Sequence, residues 1–254
     1  MIFKGRAKEA LPLLSHARGR RQLERLTTFS DGVVAVAITL LVLPLIDSLS
    51  ESRSEGVRKT VDDNGPLLIA FFFTFAVVAM MWSLHNRVFG LLRAYNVRIF
   101  WLNLLFLSFV ALLPWVSALD ILPSNLGGDN TGWSPTASLT YWSVLGTVQL
   151  SIFLLAWQVR RHPQLLADPE ENITFGQLTR GWLFTVSFYA IGAFSYFFRE
   201  VGPWLPLVIF PLSALIGHYA AREDQLKDEA EIKAAKRKPT RKKAKSTRVA
   251  KSSR

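Results

Sequence analysis

The stretch RLTTFSDGVVAVAITLLVLP, Arg25 to Pro44, decides what kind of protein this is. From Gly32 to Ile46 the chain carries no charge, and one acid, Asp31, stands at the head of that run. A helix needs about 20 mostly apolar residues to cross the hydrocarbon core of a bilayer. The uncharged run approaches that length only when read as Phe29–Ile46. Five more stretches of the same kind follow: Gly65–Leu84, Ile99–Leu119, Leu139–Trp157, Trp182–Phe198 and Pro203–Ala221. The expectation is an all-α membrane protein with six transmembrane helices over 29–221. A basic N-terminal arm over 1–28 precedes them, and a basic, disordered tail over 222–254 follows. Arg199–Gly202 leaves room only for a tight hairpin between the last two helices. No internal repeat is visible at helix-pair or three-helix spacing, which disfavours an inverted-repeat transporter.

Half of the 254 residues are apolar, and 30 Lys and Arg against 19 Asp and Glu give a formal charge of +11. That excess is segregated: Lys233–Arg254 holds eleven basic residues and no acid, enough to supply all of it. With 18 Phe and 8 Trp upstream of that segment, a disordered or collagen-like chain is excluded. The lack of cysteine excludes a disulfide scaffold, a thiol nucleophile and cysteine metal sites. Met1–Arg25 mixes seven Lys or Arg with Glu9 and Glu24 and forms no clean apolar core, so it is not read as a cleaved leader. Positive charge is retained on the cytoplasmic side of a membrane. Alternate connections carry 26 Lys and Arg on one side and four on the other, or 13 against four without the tail. Both termini are therefore expected in the cytoplasm, in a multi-pass protein of the cell (inner) membrane.

A charge at mid-membrane costs roughly 2.5–3.5 kcal/mol, so each polar residue inside a span needs a reason. Asp31 lies at the cytoplasmic start of the first helix, His85 closes the second, and Asn103 lies about one turn into the third. Trp82 sits about one turn before His85, so all four fall at similar depth. They could form a buried cluster in which Ser30 and Asp31 accept hydrogen bonds from Trp82, His85 or Asn103. Alternatively, each reaches separately to the interface, as aromatic side chains do there. Taken singly, Trp82 and His85 fit the interfacial reading better, whereas Asp31 is too short to reach water and fits the cluster.

Arg25-x-x-x-Phe29–Ser30–Asp31, with Ala37–Ile38–Thr39–Leu40–Leu41 after it, resembles the first-helix signature of the transmembrane protein 175 potassium-channel family in its prokaryotic form. Trp82-x-x-His85-x-x-x-Phe89 and Asn103 with Leu113–Pro114 extend the resemblance, which covers roughly Arg25 to Ala221. It implies a homotetramer around one central pore lined by the first helix of each subunit. It also implies narrow layers at Val36, Thr39, Leu40 and Leu43 and no carbonyl filter loop; this sequence likewise has no T-V-G-Y-G stretch. Val36 departs from the family, which more often has Ile or Leu there. The motif residues Arg25 and Phe29 join Ser30, Asp31, Trp82, His85 and Asn103 as expected members of a structural polar cluster. On a straight helix, about 100° per residue places Thr39 at about −60°, Leu40 at about +40° and Leu43 at about −20° from Val36, with Asp31 about 140° away. Arg25 and Phe29 fall near the same stripe as Val36. Arg25 is therefore expected to be paired with an acid, stacked on an aromatic, or left outside the helix.

The function expected is passive, potassium-favouring cation conduction through a short hydrophobic constriction, with Thr39 hydroxyls as a polar stepping layer. No cofactor is expected, and no metal beyond transient potassium near Thr39. The expected partners are potassium ions, further copies of the chain and, for the tail, anionic lipid headgroups at about 1 kcal/mol per basic residue near the surface. A secondary transporter or exporter of a small solute is the alternative. Gln149 and Ser213–Gly217–His218 are its polar hooks, in spans otherwise poor in polar groups. Lys236–Lys243 has the charge to bind phosphate but no interleaved aromatic, so no specific nucleic acid is expected. His16, His85, His162 and His218 form no metal-ligand or nucleophile–base spacing, and no enzyme is expected.

Overall fold

The computed structural model describes residues 3–51, 65–121, 134–168, 173–198 and 222. The sixth expected span, Pro203–Ala221, the turn-rich outer connections and the basic tail past Arg222 lie outside these residues. The described part is built from α1 (Phe3–Leu40), α2 (Leu43–Glu51), α3 (Gly65–Gly90), α4 (Val97–Ile121), α5 (Pro135–Arg161) and α6 (Phe175–Phe197). Among the described residues, four stretches are long and apolar enough to cross a membrane: Gly19–Asp47, Leu67–Gly90, Val97–Leu119 and Pro135–Arg161. Helix α6 contains the fifth expected span almost to its end and has 23 residues. Gln177, Thr179 and Arg180 place polar residues in its first two turns.

The first span departs from the single helix Phe29–Ile46 read from the sequence. Helix α1 runs unbroken through Arg25 and Phe29 but stops at Leu40, and α2 begins at Leu43. Pro44 accounts for the break: it has no N–H to donate to the Leu40 carbonyl, and its ring would clash there. The chain turns at Leu41–Val42 instead. The Val42 N–H donates to the Thr39 carbonyl at 3.4 Å, and the Val42 carbonyl accepts from Leu45 at 3.0 Å and Ile46 at 3.2 Å.

Helix α5 packs most extensively against α6 and α4, while α1 lies against α4 and α3. Its buried residues Tyr141, Leu145, Val148, Ile152, Leu155 and Val159 recur at helical spacing. Its start is set by Ser134 as N-cap and Pro135 at the first helical position, and that of α6 by a capping box between Thr174 and Gln177. Two glycines bring α5 and α6 together. A Cβ on Gly146 would lie 3.1 Å from the Tyr189 ring, and one on Gly192 would lie 3.0 Å from the Trp142 Cβ. Close backbone approach of this kind replaces the hydrophobic drive that helices lose in lipid.

The core has two parts. One runs through the middle of the bundle and includes Val34, Met81, Phe106, Leu145 and Phe188. The other, at the end bearing the α3–α4 and α5–α6 connections, gathers Leu23, Leu26, Phe89, Ile99, Leu155 and Leu166. Those two connections pair with each other. Leu92 bridges Leu166 in antiparallel fashion, the Arg93 N–H donates to the Leu165 carbonyl at 2.9 Å, and the Ala167 N–H donates to the Leu91 carbonyl at 2.8 Å. Arg93 Nε donates to the Gln164 carbonyl at 3.1 Å. Leu23 and Leu26 thus pack into the body of the bundle well before Phe29.

Candidate functional site

Where α1, α3 and α4 meet, a small set of polar side chains is buried together. Asn103 of α4 and His85 of α3 are 0% and 1% exposed, and Ser30 of α1 is buried with them. The Asn103 Oδ1 accepts from His85 Nε2 at 2.8 Å. A carbonyl oxygen only accepts, so His85 carries a proton on Nε2. The Asn103 amide nitrogen donates to Ser30 Oγ at 2.9 Å, and the Ser30 hydroxyl donates to the Leu26 carbonyl at 2.8 Å. Ser30 Oγ also lies 3.2 Å from Asn103 Oδ1, but its one hydrogen serves the shorter bond. The His85 ring stacks on Phe106 at 4.2 Å with 9° between planes, and on Phe89 at 4.5 Å with 28°. One asparagine therefore links three helices through hydrogen bonds.

Beside this triad, the Trp82 indole N–H donates to Asp31 Oδ1 at 2.7 Å, with both side chains half-buried. The carboxylate is held by an adjacent helix rather than left to water. Ser30, Asp31, Trp82, His85 and Asn103 are thus brought together as two contacts, Trp82–Asp31 and His85–Asn103–Ser30. Trp82 and His85, which taken singly fitted separate interfacial placement, belong to this layer because α1 and α4 bring partners to them.

The opposite face of α1 has no such partners. Val36, Leu40 and Leu43 are 58%, 39% and 46% exposed, and Thr39 is exposed between them. Thr39 Oγ1 donates to the Val36 carbonyl at 2.8 Å. Phe29, Gly32, Val36 and Leu40 line an open groove of about 380 Å³ with Ala111 of α4 on its edge. Toward the start of α1, Arg21, Glu24, Arg25, Thr28 and Phe29 border a second open space of about 580 Å³. Arg25 and Phe29 therefore do not join the polar cluster. They project to the other side of the helix, where the 3.6-residue repeat puts them in line with Val36. Nor is Arg25 outside the helix: it is exposed within α1, with no ion pair or ring contact among the described residues.

Residues 25–114 match the model of a family described as the endosomal/lysosomal potassium channel TMEM175. Over 156 residues the chain is 31% identical to a protein of Streptomyces collinus named a potassium channel, an overlap of 61% of this chain and 73% of that one. The chain belongs to the TMEM175 family. A protein of Chryseobacterium, also named a potassium channel, is 29% identical over 128 residues, which is 50% of this chain and 61% of that one. The mouse endosomal/lysosomal proton channel TMEM175 is 34% identical over 98 residues, covering 36% of this chain and 20% of its own length. The TMEM175 match contains every residue of the buried layer and of the exposed stripe. Helix α5, which packs against α3 and α4, and α6, which packs against α5, lie beyond it. Two contributors to the layer escaped the sequence reading. Phe106 was signalled only by standing three residues after Asn103 on the same helix, a spacing at which side chains share a face. The Leu26 carbonyl had no signal, because backbone acceptors leave no mark in residue type.

Proposed function

We propose that the chain is a potassium-favouring cation channel of the cell membrane, with both termini cytoplasmic, in which four copies surround one pore lined by Val36, Thr39, Leu40 and Leu43. The observation that carries this reading is the exposed apolar stripe of α1, interrupted by one threonine, on a helix whose other face is tied down by hydrogen bonds. Thr39 supplies the one polar side-chain oxygen that this stripe offers to an ion. A ring of four copies would place Thr39 oxygens around the axis between apolar layers. Because each hydroxyl hydrogen is engaged by the Val36 carbonyl, the oxygen lone pairs remain for a partly dehydrated cation. Apolar layers on either side conduct when wet and close by losing water, a change that needs only a small difference in radius. Leu43 stands beyond the break at Leu41–Val42, so its layer can shift against the Val36–Leu40 segment. Asp31, bonded to Trp82 and turned from the stripe, holds α1 in place and does not meet the ion.

The test is cation flux into liposomes containing the purified chain, driven by potential alone. Wild type should pass potassium in preference to sodium, and Leu40→Asn or Leu43→Asn should raise the flux several-fold by wetting the neck. No flux from wild type or from either variant would end the pore reading. Flux that saturates and requires a second, coupled ion gradient would instead support a carrier.

A further inference from the structure

Away from α1, a cavity of about 280 Å³ opens between α3, α5 and α6. Its walls are mainly apolar, with Met80, Leu84, Ile152 and Phe184 among them, but four polar side chains, Arg87, Gln149, Gln177 and Arg180, interrupt them. Arg87 lies in the last turn of α3 and Arg180 in the second turn of α6, so both mark the end of the bundle that bears the paired connections. Gln177, in the first turn of α6, is the third, and Gln149 is the fourth. It is 2% exposed, its amide oxygen is buried without a partner, and its side chain lines the cavity. Gly181, next to Arg180, faces Phe153 of α5. Gln149 precedes Phe153 by four residues and so lies about 6 Å deeper along α5. The cavity therefore has cationic groups at its mouth, an amide about one turn below and hydrocarbon around both.

We propose that this cavity binds one anionic glycerophospholipid per chain, with its phosphate at Arg87 and Arg180 and its ester region reaching the Gln149 amide. The order of groups matches the ligand: charge at the interface, ester carbonyls just below it, then acyl chain. Guanidinium groups suit phosphate oxygens in shape as well as charge, and basic pockets between transmembrane helices recognise anionic headgroups. Turned by half a rotation about its last torsion, the Gln149 amide presents its N–H where the unpartnered oxygen lies, and an ester carbonyl there accepts from it.

Native mass spectrometry of the purified chain with phosphatidylglycerol or phosphatidylcholine tests this directly. Phosphatidylglycerol should bind at least tenfold more tightly. Arg87→Gln, at an exposed position, should weaken it about fivefold or more while leaving phosphatidylcholine unchanged. Gln149→Leu should weaken ester-linked phosphatidylglycerol but not the ether-linked form, which lacks the carbonyls. Ala156→Trp, which fills the wall, should abolish retention. Equal binding of the two lipids, no effect of Arg87→Gln, or an equal loss of ester and ether forms in Gln149→Leu would each overturn the proposal. So would full displacement of the lipid by millimolar inorganic phosphate, which would mark a free-anion site. The readout is lipid binding, so its outcome is independent of whether the chain conducts.

Discussion

On one side of α1, Ser30, Asp31, Val34 and Ala37 are buried or hydrogen-bonded against α3 and α4; on the other, Phe29, Val36, Thr39 and Leu40 are exposed over nearly the same length. The two faces invert the arrangement of a soluble protein, because the polar side chains point into the bundle and most of the outer ones are apolar. In hydrocarbon an unpaired polar group is the costly one, so the helix is oriented by what it must satisfy. Apolar residues are equally at home in the core, in lipid or around a narrow pore. They are therefore free to form whichever surface the inward polar face leaves over.

Asn103→Leu should have the largest effect on that contrast. It deprives both His85 Nε2 and Ser30 of a partner in a fully buried place, and a buried group left unpaired costs about 1–3 kcal/mol. Thermal unfolding in detergent should show a loss of about 2 kcal/mol or more. That exceeds the roughly 0.6 kcal/mol average of membrane side-chain hydrogen bonds, because two groups lose one hub. A loss no greater than that of Ser108→Ala, whose exposed hydroxyl bonds only to its own helix, would mean that the inward face does not anchor α1. Asp31→Ala should come next, at about 1.5 kcal/mol for a lost charge-assisted bond. Assembly or opening should suffer while ion preference stays unchanged; a normally assembled variant with altered preference would place Asp31 on the ion path.

Pro44→Ala should restore the bond to the Leu40 carbonyl and join α1 to α2. Because the chain has no native cysteine, thiol labelling can read the result cleanly. The reactivity of Leu43→Cys should change when Pro44→Ala is added, and that of Val36→Cys should not. Equal changes at both positions would show that the two segments move as one. Thr39→Val should cost the least stability, within about 0.5 kcal/mol for an exposed position, yet lower potassium flux several-fold in liposomes. Unchanged flux would remove the hydroxyl from the conduction path.

Much of this was legible in the residues themselves. The long apolar runs marked α4 and α5 to within four residues at either end, and α3 up to its last six residues. The lone acid at the head of the first run announced a buried partner, and the indole of Trp82 is that partner. The helix break was also written in the sequence, at Pro44, but a continuous apolar run hid it. Hydropathy records length, whereas a proline acts through one hydrogen bond and one clash. The fate of Arg25 was not legible, because a stripe position on a helix does not say whether a neighbour will arrive to pair with it.

By itself the sequence determined the membrane class, the segregation of basic charge to one end, and which residues share a face of the first helix. All of these depend on local properties, namely residue polarity and the helical repeat. Only the tertiary structure decided that Asn103 is the hub, that His85 lies against Phe89 and Phe106, and that Val36, Thr39, Leu40 and Leu43 are left uncovered. Which donor meets which acceptor across helices depends on how each helix is rotated about its axis. That rotation follows from the packing of whole helices, α1 against α4 and α3, and α5 behind α4, and α5 does not lie near the motif in the chain.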